Sequence, residues 1–389
     1  MNRSLFLFLL ITISSYAQSF EGFLQKALIN TPLLKASTLQ IEQAQSEGEL
    51  QLRYKNPNVT LESSSFESSL GTTDSGHRFS ITQPLRLWGI SSDKKRYAKA
   101  LLKSAKAKNS RTKAQFIRDI SLDYLGYVKS KKFLALGEEE IKLAKKIYDI
   151  STERYKVGTI SKGKVLQAKV DYDVAQSSYN NLSLIEYEKY SFLLKSAGIS
   201  QEIALDCEHQ FKLKMEKLEA LSPDQMLLES QSEEAQALAE VNEHSIEWVK
   251  LFGEYEREPE QNIMRVGLSF PIALFNTKSQ ERRIAKLESQ KNKLLTDVKK
   301  VQDSIEQRRL IQESQRLAQL KKHSLEILKT EQELLLMYQE GYKIANIDLL
   351  ELQTIKNRVI ESKERLITIQ TRLQSNIINQ NYLLGNYNE

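Results

Sequence analysis

The sequence repeats itself. Phe79-Ser80-Ile81-Thr82-Gln83-Pro84-Leu85-Arg86-Leu87-Trp88 aligns with Val266-Gly267-Leu268-Ser269-Phe270-Pro271-Ile272-Ala273-Leu274-Phe275 at an offset of 187 residues. Glu153-Arg154-Tyr155-Lys156-Val157-Gly158-Thr159-Ile160 aligns with Glu340-Gly341-Tyr342-Lys343-Ile344-Ala345-Asn346-Ile347, again at 187. Each match is short, but two landmarks that keep one spacing in both halves point to duplication of a single unit. The two units are residues 18–205 and 206–389.

Each unit joins two periodicities. Ahead of the shared proline, Phe79 and Ile81 alternate with Ser80 and Thr82. In the second copy Met264, Val266, Leu268 and Phe270 alternate with Arg265, Gly267 and Ser269. Such period-two patterns predict strands with one greasy and one small or polar face. Weaker alternating segments lie upstream. The reading is two hairpins per chain, with strands at about 58–66 and 77–85, and at about 246–255 and 263–272. Their length, about nine or ten residues, suits a tilted strand crossing an outer membrane.

The rest of each unit reads as helix. No proline interrupts Ser91 to Glu153, and Ile117, Ile120, Tyr124 and Val128 fall at three- and four-residue steps. In the second unit Ile284, Leu287, Leu294, Val298, Val301 and Ile305 keep the same rhythm, which predicts a coiled-coil-like packing seam. A helix of some sixty residues is a rod of roughly 95 Å. Tyr-Lys-Val-Gly-Thr-Ile-Ser at 155–161 breaks the first rod and 342–348 breaks the second, so each unit ends in a long helical hairpin.

Met1 to Arg3 give the N-terminus a short positive start, followed by an apolar run from Leu5 to Ile13 and then Ser15-Tyr16-Ala17. This is the pattern of a cleaved export signal, residues 1–17; the run is too short to be a membrane anchor, which takes roughly 20 residues. The lone cysteine, Cys207, is far from the cleavage site, so neither a lipoprotein anchor nor an intrachain disulfide is expected. Six prolines and 14 glycines in 389 residues are few, as expected of long helices.

The formal charge is +6, with 56 basic against 50 acidic residues interleaved along the helices, which argues against nucleic acid as a partner. Lys94 to Lys113, with nine Lys or Arg, is the basic exception and reads as a solvated helix face, with a role near an anionic membrane or ligand as the alternative. The four histidines are scattered, and no metal-ligand spacing, phosphate-cradling loop or nucleophile elbow occurs. No enzyme activity, cofactor, catalytic residue or fixed metal site is expected.

Four strands in an open sheet would leave edge amides and carbonyls unpaired in lipid, so copies must join: two would give eight strands and three would give twelve. The duplicated hairpins, the Gln83-Pro84-Leu85-x-Leu87-Trp88-Gly89 junction and the Arg154 to Ser161 turn together resemble the TolC-type outer-membrane efflux family. The resemblance covers nearly the whole chain after residue 17. Gly267 to Asn276 is most similar to the branch serving heavy-metal exporters of the resistance-nodulation-division type.

That resemblance implies a mainly α protein with a small β membrane part. In a homotrimer the strands complete a twelve-stranded β-barrel and the helices form a periplasmic α-barrel. It implies a passive exit duct in the bacterial outer membrane, in contact with lipid, fed by a periplasmic adaptor and an inner-membrane pump driven by protons. Heavy-metal cations are the cargo it points to, with drug efflux and type I protein secretion as alternatives. The tips, Tyr155, Lys156, Val157, Gly158, Thr159, Ile160 and Ser161 with Tyr342, Lys343, Ile344, Ala345, Asn346, Ile347 and Asp348, are then the adaptor contact and tunnel entrance. Asp348 would set a ring of negative charge there or serve as a helix N-cap. Pro84, Trp88, Gly89, Pro271 and Phe275 mark the barrel-to-helix junction. A periplasmic coiled-coil scaffold without a pore is the competing class; it gives no reason for the alternating segments before Pro84 and Pro271.

Overall fold

The computed structural model describes residues 18–67, 71, 73–214 and 221–387; the export segment 1–17 lies outside the described residues. In chain order the elements are α1 (Phe20–Asn30), α2 (Pro32–Leu52), β1 (Asn58–Glu67), β2 (Thr73–Arg86), α3 (Ile90–Lys156) and α4 (Lys162–Ala197). The second unit follows as α5 (Pro223–Val241), β3 (Trp248–Arg257), β4 (Asn262–Ser269), α6 (Ser279–Lys343) and α7 (Leu349–Leu383). The order helix, hairpin, long helix, helix thus occurs twice.

The local punctuation is legible. Ser19 caps α1, its hydroxyl accepting from the Gly22 N–H at 3.3 Å, and Ser222 caps α5 in the same way through Gln225. Pro32 and Pro223 open α2 and α5, where the missing N–H costs nothing. α3 and α6 run 67 and 65 residues, rods of roughly 100 Å.

The helices form a four-wide row. α3 packs against α2 and α5 over its first half and against α4 and α7 over its second, and α6 packs against α5 and then α7. Gly48 of α2 meets Ala98, Gly137 of α3 meets Leu182 of α4, and Gly198, after α4, meets Thr31, before α2. α2 and α4 therefore follow one another end to end on one flank of α3, as α5 and α7 do on the other. α6 closes the far side.

Two clusters of apolar side chains hold the row. Phe20, Phe23, Tyr124, Val128, Leu193, Phe211 and Ile378 bury the middle of the rods beneath α1 and the segment before Lys212. Ile147, Leu335, Tyr342, Leu349, Leu352 and Val359 bury the hairpin ends. Each fully buried aliphatic side chain contributes about 1.5–3 kcal/mol.

The strands form one antiparallel sheet in the order β1-β2-β3-β4, so β2 and β3 join the two repeats, with Phe79 opposite Tyr255 and Arg86 opposite Trp248. β2 starts at Thr73, earlier than the expected 77, which shortens the first turn. β4 stops at Ser269 although alternation continues to Phe270; Pro271 has no N–H to continue the ladder. Pro84, by contrast, lies inside β2, which runs on to Arg86. There β1 has already ended, at Asn58 opposite Thr82, so one side of β2 needs no donor.

Candidate functional site

The sheet has two chemically distinct faces. Val59, Leu61, Phe79, Ile81, Leu85, Leu251, Tyr255, Met264, Val266 and Leu268 share one face and are exposed. The other face carries Thr82, Ser80, Arg78, Glu62, Glu254, Glu256 and Arg265. Arg78 bridges Glu62 at 3.1 Å and Glu256 at 2.8 Å, and Arg265 pairs with Glu254 and Glu256. An apolar outer face and an ion-paired inner face suit a wall between lipid and water. β1 and β4 each have one unpaired edge.

The helical row is open on the same two sides. Ile284, Leu287, Leu294, Val298, Val301 and Ile305, expected to form a packing seam, are all exposed. α6 instead turns Ala285, Ser289, Asn292 and Thr296 inward, small and polar residues that let α5 approach closely. The apolar rhythm is present on α6, but among the described residues nothing covers it, so the expected seam does not form within the chain as described. At the opposite end of the row α4 exposes Leu166, Val170 and Val174, and α2 exposes Leu39 and Leu50. Each open strand edge is therefore continuous with an open apolar helix flank, β1 with α2 and β4 with α6.

The tips share one backbone. In the first, the Gly158 N–H donates to the Tyr155 carbonyl and the Thr159 N–H to the Arg154 carbonyl; in the second, Ala345 donates to Tyr342 and Asn346 to Gly341. This pair of bonds is the Schellman helix stop, and its pivot residue must be left-handed. Gly158 has φ +75° and Ala345 has φ +68°. The turns therefore begin at Val157 and Ile344, while Tyr155, Lys156, Tyr342 and Lys343 are still the last helical turns of α3 and α6.

The two tips are tied together within the chain. Arg154 donates to the Tyr342 carbonyl at 2.7 Å and its guanidinium lies 4.5 Å from that ring, while the Tyr342 hydroxyl sits 2.8 Å from the Ser151 hydroxyl, both buried. Asp348 is the N-cap of α7 in a capping box with Glu351 and pairs with Lys164 of the other hairpin. The Lys164 hydrogen bond and the first N–H groups of α7 hold its carboxyl below the usual carboxylate range. Its charge is thus compensated by a cation beside it. Val157 and Ile344 are exposed, Ser161 is the N-cap of α4, and Ile160 and Ile347 are partly covered.

At the junction Trp88 is 91% exposed and Phe275 fully exposed, and Gly89 has φ +84° at the start of α3. Sequence reasoning missed Arg86, whose buried guanidinium donates to the carbonyls of Gln51, Leu52 and Arg53 and bridges Glu247 at 3.2 Å. It stood at the variable position of the junction motif, and its partners are distant in sequence. Lys356, only 1% exposed, was missed for the same reason: it reaches both carboxylate oxygens of Asp171 at 2.8 Å, linking α7 to α4. The basic stretch Lys94 to Lys113 is less solvated than expected, since Arg96, Lys103 and Arg111 pair with Glu240, Glu233 and Asp224 of α5.

Among the described residues no group of three or more His, Cys, Asp or Glu side chains could hold a metal ion, and no helix is long and apolar enough to cross a membrane. Residues 23–191 match the model of the outer membrane efflux protein family. No curated protein matches the sequence significantly. The fold is similar to that of the CmeC outer membrane channel of Campylobacter jejuni, with TM-score 0.77 at 16% identity over 94% of this chain and 85% of that one. It is similar to the outer membrane protein VceC of Vibrio cholerae, with TM-score 0.79 at 14% identity over 94% of this chain and 95% of that one. CusC, whose structures concern folding and transmembrane channel formation, superposes with TM-score 0.78 at 15% identity over 94% and 91% of the two chains. Such identities speak for the fold, and it spans both repeats. The first repeat thus matches the outer membrane efflux protein family, and both repeats together have a fold similar to that of outer membrane channels.

Proposed function

We propose that three copies of this chain close into a passive outer-membrane duct, twelve strands in the membrane above a helical tunnel, serving a tripartite efflux system. One observation carries this reading. The open edges of β1 and β4 and the open apolar flanks of α2/α4 and α6 lie on opposite sides of the same protomer. Copies placed side by side would pair the strand edges and bury the stripes Ile284 to Ile305 and Leu166 to Val174 together. In hydrocarbon an unpaired amide or carbonyl costs several kcal/mol, so a lone open sheet has no stable place there.

In this reading residues 1–17 direct export and are removed. The tips at 155–161 and 342–348 face the periplasmic adaptor and form the tunnel entrance, and Pro84, Trp88, Gly89, Pro271 and Phe275 mark the membrane boundary. Exposed rings such as Trp88 and Phe275 suit the lipid interface there. Energy comes from an inner-membrane pump, since the chain itself carries no nucleotide-binding loop; a proton-driven pump rests on the resemblance to the resistance-nodulation-division branch alone. Heavy-metal cations as cargo rest on the resemblance of Gly267 to Asn276 alone.

Fractionation tests the duct. It predicts recovery with the outer membrane, release only by detergent, and migration as a trimer; release by osmotic shock as a soluble chain would favour the scaffold. Deletion followed by challenge with metals, drugs and a secreted-protein panel assigns cargo, and hypersensitivity confined to drugs would remove the metal reading.

A further inference from the structure

A cleft of about 950 Å³ opens at the base of the sheet, where α2 hands over to β1 and β4 to α6. Arg53, Lys55, Arg86, Lys94, Lys250 and Lys278 line it, against a single carboxylate, Glu247. Glu247 is already shared by Arg86 at 3.2 Å and Lys94 at 2.7 Å. Among the described residues Arg53, Lys55, Lys250 and Lys278 have no carboxylate partner. Four cations without a carboxylate partner around one cleft raise its positive potential, which a bound anion would lower.

The cleft opens on the inner face of the wall. Lys250 lies opposite Pro84 and Ser269, in line with Thr82, Ser80 and the ion-paired Arg78, and away from the apolar face of Leu251 and Leu268. Higher on that face Arg78 and Arg265 are balanced by Glu62, Glu254 and Glu256, so the cationic excess is confined to the base.

The helix start adds to it. Lys278 occupies the N-cap of α6 in a left-handed conformation, and no side chain caps that helix. A cation at the positive end of a helix is placed against the usual preference, and both favour an anion. Trp248 and Tyr54 form the floor: Arg86 lies 4.7 Å and 5.0 Å from their ring centres, and the Lys55 ammonium 5.3 Å from that of Trp248.

We propose that this cleft is an anion-binding station, and that in the closed duct its copies form a collar that holds carboxylate or phosphate groups of passing solutes. The placement inside a duct rests on the function proposed above; the binding chemistry belongs to the single chain. Bare metal cations would be repelled at this level, so the collar favours cargo that is itself anionic or a metal carried in an anionic complex.

Trp248 reports on the cleft directly, because Trp88 is the only other tryptophan. In the purified, detergent-solubilised Trp88→Phe protein, fluorescence quenching by iodide and by caesium is compared, each normalised to free tryptophan amide. A local potential of about one kT predicts an iodide-to-caesium ratio about five-fold or more above the free amide. The triple variant Lys55→Gln, Lys250→Gln, Lys278→Gln should bring the ratio close to that of the free amide, and the matching Lys→Arg triple should keep it. Citrate should suppress iodide quenching more than sodium chloride of equal ionic strength. A ratio equal to the free amide, a ratio unmoved in the Gln triple, or equal suppression by citrate and chloride would each overturn the station. The measurement reads the cleft whether or not copies close, whereas fractionation and trimer migration judge the duct separately.

Discussion

The two repeats carry equivalent residues into different surroundings. Tyr155 and Tyr342 stand one repeat apart, yet Tyr155 is 44% exposed while Tyr342 is 1% exposed beneath Arg154. Lys169 and Lys356 are likewise equivalent. Lys169 makes an exposed i,i+4 pair with Asp173 at 3.2 Å, whereas Lys356 is buried against Asp171. The tip turns have the same hydrogen bonds, but glycine takes the left-handed position in one and alanine in the other. Duplication thus supplies a backbone twice. Position in the row decides the rest: α7 lies between α3 and α6, and α4 lies at the open edge.

Substitutions at matched positions should therefore give unmatched effects. The largest contrast is expected at the lysines. Lys356→Ala leaves Asp171 half-buried without its cation and should cost about 3–5 kcal/mol, against under about 1 kcal/mol for Lys169→Ala, read from denaturant unfolding. Next come the tyrosines: Tyr342→Ala should cost about 3 kcal/mol and Tyr155→Ala about 0.5 kcal/mol or less, and equal costs would dissolve the asymmetry.

The pivots should respond in opposite senses and by less. Gly158→Ala should destabilise its tip by about 1 kcal/mol, and Ala345→Gly should relieve a left-handed alanine by a similar amount, seen as amide-exchange protection of each turn. The smallest contrast concerns pH. The Asp348 carboxyl is held low, so the stability it adds is present above the ordinary aspartate pKa of about 4 and is lost as pH falls through its lower folded value. Protection factors at the α6–α7 tip should drop over that range, those at the α3–α4 tip should not, and Asp348→Asn should abolish the difference.

Much of the architecture was legible because it rests on periodicity. Alternation at Phe79 to Thr82 and at Met264 to Ser269 marked two of the strands, and the proline-free stretch after Ser91 marked the rod that became α3. What periodicity leaves open is the partner. The stripe Ile284 to Ile305 announces a packed helix face, yet among the described residues that face is exposed. Contacts such as Arg86 with the carbonyls of 51–53, or Lys356 with Asp171 185 residues away, leave no local trace, since they arise only once the repeats lie side by side. Asp348 carried two readings in the sequence; the structure seats it as a helix cap with a lysine partner.

In the proposed duct the open edges of β1 and β4 are satisfied by neighbouring copies. Paired cysteines test this directly in a Cys207→Ser background, one at Val59 or Leu61 on β1 and one at Met264, Val266 or Leu268 on β4, with oxidation in isolated outer membranes. The two strands are at opposite ends of the sheet within one chain, so a bond between them must join separate molecules. At least one pairing should give a covalent ladder ending at three chains. If every pairing leaves monomers while the protein remains folded in the membrane fraction, the closed wall does not exist.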